Sequence, residues 1–251
     1  MTTNQKAGQF VWRELMTHDA AASTRFYSEV FGWKVKVPKE MPNYQEFYAG
    51  EKAVGGMMVM GPEMKDVPTC WIEYVTVPDV DAATNTAKGL GANVVAGPMD
   101  IPNVGRFATV IDPQGAAFAL FKFGADVPEA PPQPGVGQFC WEQLNATDLP
   151  AAHNFYTKVV GWNVSEFQGM ATYRAGEASV ASVMQAPPGA PAHWLTYVVV
   201  DDLGAARDRV KRMGGTVMVN EIPVPSVGTF SVVRDPQGAT ICLFVGESKQ
   251  Q

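Results

Sequence analysis

Two stretches, Gly8–Val35 (GQFVWRELMTHDAAASTRFYSEVFGWKV) and Gly137–Val164 (GQFCWEQLNATDLPAAHNFYTKVVGWNV), superpose with a constant offset of 129 residues. Thirteen of the 28 positions are identical: Gly8, Gln9, Phe10, Trp12, Leu15, Asp19, Ala22, Phe26, Tyr27, Val30, Gly32, Trp33 and Val35. The correspondence continues with AGE at 49–51 and 175–177, then with PTCWIEYVTVPDV against PAHWLTYVVVDDL at an offset of 123. It ends with IPNVGRFATVIDPQGAAFALF against VPSVGTFSVVRDPQGATICLF. Self-similarity over this length is a tandem duplication, so the 251 residues are expected to form two homologous domains, 1–125 and 137–251. Between them Asp126–Gly137 (DVPEAPPQPGVG) is rich in Pro and Gly, and 126–136 reads as a semi-extended linker.

Each copy carries the same local signals. Gln9–Met16 and Gln138–Asn145 alternate as half-buried strands do. Asp19 and Asp148 follow as N-caps, because a carboxylate there accepts from the orphan amides of the first helical turn. Ala22, Phe26 and Val30 recur at four-residue steps, and Gly32 or Gly161 supplies a left-handed stop. Short strands are expected near Trp33–Val37, Glu46–Gly50 and Val54–Met60, and near Trp162–Phe167, Thr172–Ala175 and Val180–Gln185. The pattern then restarts with strand Trp71–Val77, cap Asp79, a helix through Lys88, and strands Val94–Ala96, Arg106–Ile111 and Ala117–Lys122. The Asp112-Pro113-Gln114-Gly115 tetrapeptide is a turn, since Pro presets φ and Gly tolerates the reversal. The chain is therefore an α+β protein of four βαβββ modules in two tandem pairs.

A formal charge of −6, with 25 acidic against 19 basic residues and no basic run, leaves no electrostatic footprint for nucleic acid or an anionic membrane. The N-terminal stretch lacks a secretory signal pattern, and no apolar run is long enough for a membrane span. Cys70, Cys140 and Cys242 are odd in number and widely spaced within apolar runs, as reduced core residues of a cytoplasmic protein would be.

The strand–Asp–helix–FYxxVxGW opening and the DPQGxxxxLF ending, present in both halves, resemble the vicinal oxygen chelate superfamily. That group includes glyoxalase I, extradiol dioxygenases, bleomycin-resistance proteins and fosfomycin-resistance enzymes. The resemblance is to its two-domain, glyoxalase-like branch, and it implies that each module pair curls a mixed sheet into a cup with helices outside. Metal-dependent members place one ligand seven residues before each capping Asp and a carboxylate seven after the turn Asp. In this chain those slots hold Trp12, Ile72 and Ala119 in one half and Trp141, Leu195 and Cys242 in the other. Five of the six carry no metal donor, whereas zinc, nickel or iron needs three or four converging N, O or S ligands. No metal site and no cofactor are expected, a divalent metal at other residues being the alternative.

Residues in phase with the slots should line the cups. They include Phe10, Trp12, Tyr74 and Phe121 in the first half, and Phe139, Trp141, Gln143, Asn145, Tyr197 and Phe244 in the second. Such a lining suits a flat organic ligand, while its apolar members would equally serve as plain core packing. Glu14, on an apolar strand face, is a candidate general acid or base, or a strand-end hydrogen-bonding group. His193 is a candidate ligand or catalytic contact, or a structural residue at a strand entrance. The leading expectation is a protein, monomer or weak homodimer, that binds a small hydrophobic or aromatic molecule without a catalytic metal. The alternative is a lyase, isomerase or dioxygenase-type enzyme working through Glu14 and His193 or through an unrecognised metal site. A scaffold with filled cups is a third.

Overall fold

The computed structural model describes residues 7–38, 41, 44–125 and 134–247. Of the expected linker, residues 126–133 lie outside the described residues. The first module runs β1 (Phe10–Thr17), α1 (Ala20–Phe31), β2 (Lys34–Lys36), β3 (Tyr44–Ala49) and β4 (Lys52–Val59). The second runs β5 (Cys70–Thr76), α2 (Val80–Gly89), β6 (Asn93–Ile101), β7 (Gly105–Ile111) and β8 (Ala117–Phe123). The second half repeats this as β9 (Phe139–Ala146), α3 (Leu149–Val159), β10 (Asn163–Phe167), β11 (Met170–Ala175) and β12 (Ala178–Gln185). It closes with β13 (His193–Val199), α4 (Leu203–Arg212), β14 (Thr216–Val224), β15 (Gly228–Arg234) and β16 (Thr240–Gly246). Two eight-stranded mixed sheets result, ordered β2-β3-β4-β1-β5-β8-β7-β6 and β10-β11-β12-β9-β13-β16-β15-β14. No helix among the described residues is long and apolar enough to cross a membrane.

The local signals act as read. Asp19, Asp79, Asp148 and Asp202 each accept from the backbone N–H three residues on, capping the four helices. β6 is longer than the sequence suggests, because the ladder to β7 continues through Gly97 and Pro98 by register shifts, which absorb a residue that cannot donate.

Packing does not follow chain order. One compact unit comprises the described residues within Met1–Trp12, Ile72–Ala130 and Glu142–Trp194, and the other those within Arg13–Trp71, Pro131–Trp141 and Leu195–Gln251. The first unit thus joins the second and third modules around one core, and the second joins the first and fourth. The reason lies in the repeated motifs. In the second unit the Tyr27 hydroxyl donates to Asp235 Oδ2 at 3.0 Å and accepts from Trp71 Nε1 at 3.0 Å. Asp235 Oδ1 takes the backbone N–H of Gln237, Gly238 and Ala239 at 2.8–2.9 Å. Gln237 of the same DPQG turn then grips the start of α1: its Oε1 accepts from Thr17 Oγ1 and the Asp19 N–H, and its Nε2 donates to Asp19 O and Ser23 Oγ.

The first unit repeats the device with the copies exchanged. Tyr156 donates to Asp112 Oδ2 at 3.0 Å and accepts from Trp194 Nε1 at 3.0 Å. Gln114 Oε1 accepts from Thr147 Oγ1 and the Asp148 N–H, while its Nε2 donates to Asp148 O. In each unit the turn of one repeat clasps the helix start of the other.

The GQF openings are the second such device. Trp162 Nε1 donates to Gly8 O at 2.8 Å, and Trp33 Nε1 donates to Gly137 O at 2.6 Å. Phe10 packs on Trp162 and Trp194 with ring centroids at 5.5 and 5.4 Å, and Phe139 on Trp33 and Trp71 at 5.5 and 5.6 Å. Gly8 and Gly137 have φ of 79° and 78°, and a Cβ on Gly8 would sit 2.7 Å from Trp162 Nε1. On Gly137 it would meet Ala49 Cβ at 3.2 Å.

Gly8→Ala should destabilise more than Gly137→Ala, each by about 1–3 kcal/mol from left-handed strain and overpacking, as read by urea midpoints; equal, negligible effects would contradict the packing. Tyr27→Phe or Tyr156→Phe should cost about 1–3 kcal/mol by stranding a buried carboxylate oxygen and an indole N–H. Burial, with Asp235 or Asp112 adjacent, pushes both tyrosine hydroxyls well above their ordinary range. Their folded values exceed the unfolded value of about 10, so this stability is whole below pH ~10 and is lost as pH rises above it. Burial also raises Asp112 and Asp235, so their linked contribution is fullest at acid pH and falls as pH rises through the folded value. Urea midpoints should therefore drop steeply above pH ~10, and less steeply in the double Phe variant.

Candidate functional site

Each sheet has a helix side, which forms the cores, and an inner face turned away from the helices. The inner faces are described unit by unit.

In the second unit, Leu195, Tyr197, Phe230 and Cys242 form one buried cluster, against which Cys140, Trp141, Val224, Val232 and Phe244 pack. Tyr197 stands opposite Cys242 in the β13·β16 ladder and edge-on to Phe230 at 5.1 Å. The three slots counted from the sequence, Trp141, Leu195 and Cys242, do converge here. Only Cys242 brings a donor atom, so this set does not fit a bound metal ion.

In the first unit Tyr74 stands opposite Ala119 and packs on Phe107 and Phe121 at 6.1 and 6.0 Å. The slots Trp12, Ile72 and Ala119 offer no metal donor at all. Among the described residues no group of three or more His, Cys, Asp or Glu is placed to hold a metal ion.

The same unit carries a different inner face on β9–β12. Leu144, Val183 and Tyr173 enter the helix-side core, so strand alternation turns Gln143, Asn145, Ser182, Met184 and Thr172 the other way. The ladders align Gln143 with Ser182, Ser182 with Thr172 and Thr172 with Ser165, a polar row across four strands. Beside it Asn145 faces Met184, and Phe167 faces Met170. The floor is buried, with Thr172, Ser182, Asn145 and Gln143 at 3%, 4%, 6% and 8% exposure, while Phe167 at 47% and Met184 at 39% stand open to solvent.

On this floor Gln143, Asn145 and His193, all expected at the site, form one hydrogen-bonded chain. Gln143 Nε2 donates to Asn145 Oδ1 at 2.9 Å, and Asn145 Nδ2 lies 3.1 Å from His193 Nε2. His193 Nδ1 lies 2.9 Å from the Pro191 carbonyl. A carbonyl only accepts, so Nδ1 carries the proton, and Nε2 is left to accept from Asn145.

Glu14 belongs to the second unit and is 9% exposed. It aligns with Gly56, which aligns with Glu46 and then Lys36, the charged counterpart of the Gln143–Ser182–Thr172–Ser165 row. Tyr48 donates to Glu46 Oε2 at 2.8 Å. His18 holds the Val67 carbonyl at the exposed start of α1. His153 lies on α3 beside Tyr173, and burial lowers its pKa.

Two expected lining residues are misplaced by strict alternation. Phe10 and Phe139 lie in the helix-side cores with the tryptophans described above. The consecutive residues Cys140 and Trp141 both pack on the Tyr197 cluster, so the two-residue period is interrupted at the start of β9 and Phe139 falls on the opposite side. Ser165, Thr172 and Ser182 were not singled out from sequence. Their signal is the polar residue at every second position in strands whose other face is apolar.

Residues 9–120 and 136–243 each match the profile of the Glyoxalase/Bleomycin resistance protein/Dioxygenase superfamily. Among curated proteins the chain is 34% identical over 244 residues, 93% of each chain, to CFP32 of Mycobacterium tuberculosis, provisionally named a glyoxylase. It is 29% identical to the anthracycline biosynthesis protein DnrV of Streptomyces peucetius, over 92% of this chain and 91% of that one. Among solved structures, the Mn(II)-bound glyoxalase from Novosphingobium aromaticivorans matches with a TM-score of 0.64 at 20% identity, covering 95% of this chain and 82% of that one. A catechol 2,3-dioxygenase matches at 0.62 and 16%, covering 98% and 91%. At these identities the structural matches speak to the fold alone. With two profile matches spanning nearly all of the sequence and a relative 34% identical end to end, the chain belongs to the glyoxalase/bleomycin resistance protein/dioxygenase superfamily.

Proposed function

We propose that this protein binds a small aromatic molecule bearing hydroxyl or carbonyl oxygens on the inner face of β9–β12, and does so without a metal at the superfamily's ligand slots. The observation that carries the reading is the Gln143–Asn145–His193 chain set in a buried polar floor beside the exposed Phe167 and Met184. Thioether and aromatic walls hold a flat ring by dispersion, and a few fixed polar groups orient its oxygens. The likeness to a protein named for anthracycline biosynthesis agrees with a ligand of this class. The apolar slot residues Trp141 and Leu195 argue against metal chemistry at that position.

A second reading, a lyase, isomerase or dioxygenase-type enzyme, draws on Glu14: a nine-tenths buried carboxylate on an inner face is a ready proton carrier.

Titration of intrinsic tryptophan fluorescence with 2-naphthol should give saturable quenching that EDTA leaves unchanged. Asn145→Leu should weaken binding on the order of tenfold through one lost hydrogen bond. Absence of saturable binding, or binding indifferent to Asn145, would defeat the proposal. Protein loaded with manganese, zinc or nickel and then dialysed should retain no stoichiometric metal; retention with metal-dependent turnover would favour the enzyme reading.

A further inference from the structure

We infer that the aromatic ligand of the β9–β12 face carries a carboxylate, and that Arg174 receives it at the end of that face remote from Phe167 and Met170. The inference rests on the binding site proposed above and names its ligand class.

Arg174 Nε is buried and has no hydrogen-bond partner among the described residues. A buried donor without an acceptor destabilises the fold, and an oxygen brought by a ligand removes that cost. The ladders place the residue on the inner face: it aligns with Asn163 on β10 and Ser179 on β12, two positions from Thr172 and in phase with it. The register shift at Tyr173/Arg174 is absorbed by β12, where Val180 and Ala181 both pack in the helix-side core, so β11 itself alternates without interruption. Arg174 is also the one Asp, Glu, Lys or Arg of these four strands turned inward. Glu142 shares the helix side with Leu144, Glu166 aligns with Ala171 against the core, and β12 has no such residue.

The arginine's other contacts are easily exchanged. Its side chain is 36% exposed, and Nη2 donates to the Glu177 carbonyl and lies 3.8 Å from Glu177 Oε2. Glu177 stands on the exposed turn between β11 and β12, so water replaces the arginine at both oxygens at little cost. A carboxylate on the inner face then takes Nε–H and Nη2–H together, a paired geometry that a lone hydroxyl cannot match. The face is graded to suit such a molecule. Along β11 the inward residues run Arg174, Thr172, Met170, from cation through hydroxyl to thioether over about 13 Å of strand. An aromatic acid lies along it with its charge at Arg174 and its rings toward Met184 and Phe167. No inward acidic side chain on these strands repels the anion.

Calorimetric titrations at neutral pH compare 6-hydroxy-2-naphthoate with 2-naphthol. The acid should bind the native protein on the order of tenfold more tightly. In Arg174→Gln that preference should vanish while the affinity for 2-naphthol stays as it was. Equal affinities in the native protein, or a preference that survives Arg174→Gln, would overturn the inference and leave the binding site standing. A second readout needs no variant: the Arg174 Nε–H resonance of the native protein should shift on adding the acid and stay put on adding 2-naphthol. An Nε–H resonance indifferent to the acid would also overturn the inference, even where Arg174→Gln fails to fold. Failure of both probes to bind the native protein would defeat the binding site, and the inference with it.

Discussion

A buried tyrosine hydroxyl that donates to an aspartate and accepts from an indole N–H is the contact on which both cores of this protein turn. Tyr27 and Tyr156 are each completely buried, so their hydroxyls must be satisfied inside the fold, and both partners come from distant parts of the chain. The aspartate belongs to a DPQG turn of the other repeat. That turn's glutamine then holds the backbone at the start of the helix carrying the tyrosine. Three motifs that look independent in sequence, the FY pair, the strand tryptophan and the DPQG turn, are one hydrogen-bonded assembly built twice.

This assembly leaves the inner faces outside the burden of holding the fold together, and the four modules have diverged there. The second unit fills the slots counted from the sequence with Trp141, Leu195 and Cys242 in an apolar cluster. The second module keeps an aromatic face around Tyr74. The first has a charged row, Glu14 to Lys36, and the third a neutral polar one. Neutral amides and hydroxyls can be buried at small cost when each finds a partner, as the chain from Gln143 to Pro191 does.

Much of the fold was legible because it depends on local chemistry. Capping aspartates, glycine stops and the Asp-Pro-Gln-Gly turns act within a few residues, and the duplication is visible by direct comparison. The candidate site was legible in part: counting in twos puts Gln143 and Asn145 on one face of β9, and the fold brings His193 of β13 to the same chain of hydrogen bonds. Phe139 lies off the expected face because alternation assumes an unbroken ladder, and the consecutive residues Cys140 and Trp141 pack on one cluster, while Phe10 is drawn to the helix side by Trp162 and Trp194. The polar row through Ser165, Thr172 and Ser182 was missed because its members lie on three strands whose register no single stretch of sequence specifies.

The sequence by itself determined that this is a duplicated α+β chain of four βαβββ modules. That conclusion needs only residue identity and short-range spacing. Tertiary structure alone decided which modules share a core, pairing the second with the third and the first with the fourth, because the Tyr–Asp bonds that join the repeats link residues 208 positions apart in one unit and 44 apart in the other. It alone also brought His193 into one hydrogen-bonded chain, with a backbone carbonyl on one side of the ring and an amide from another strand on the other.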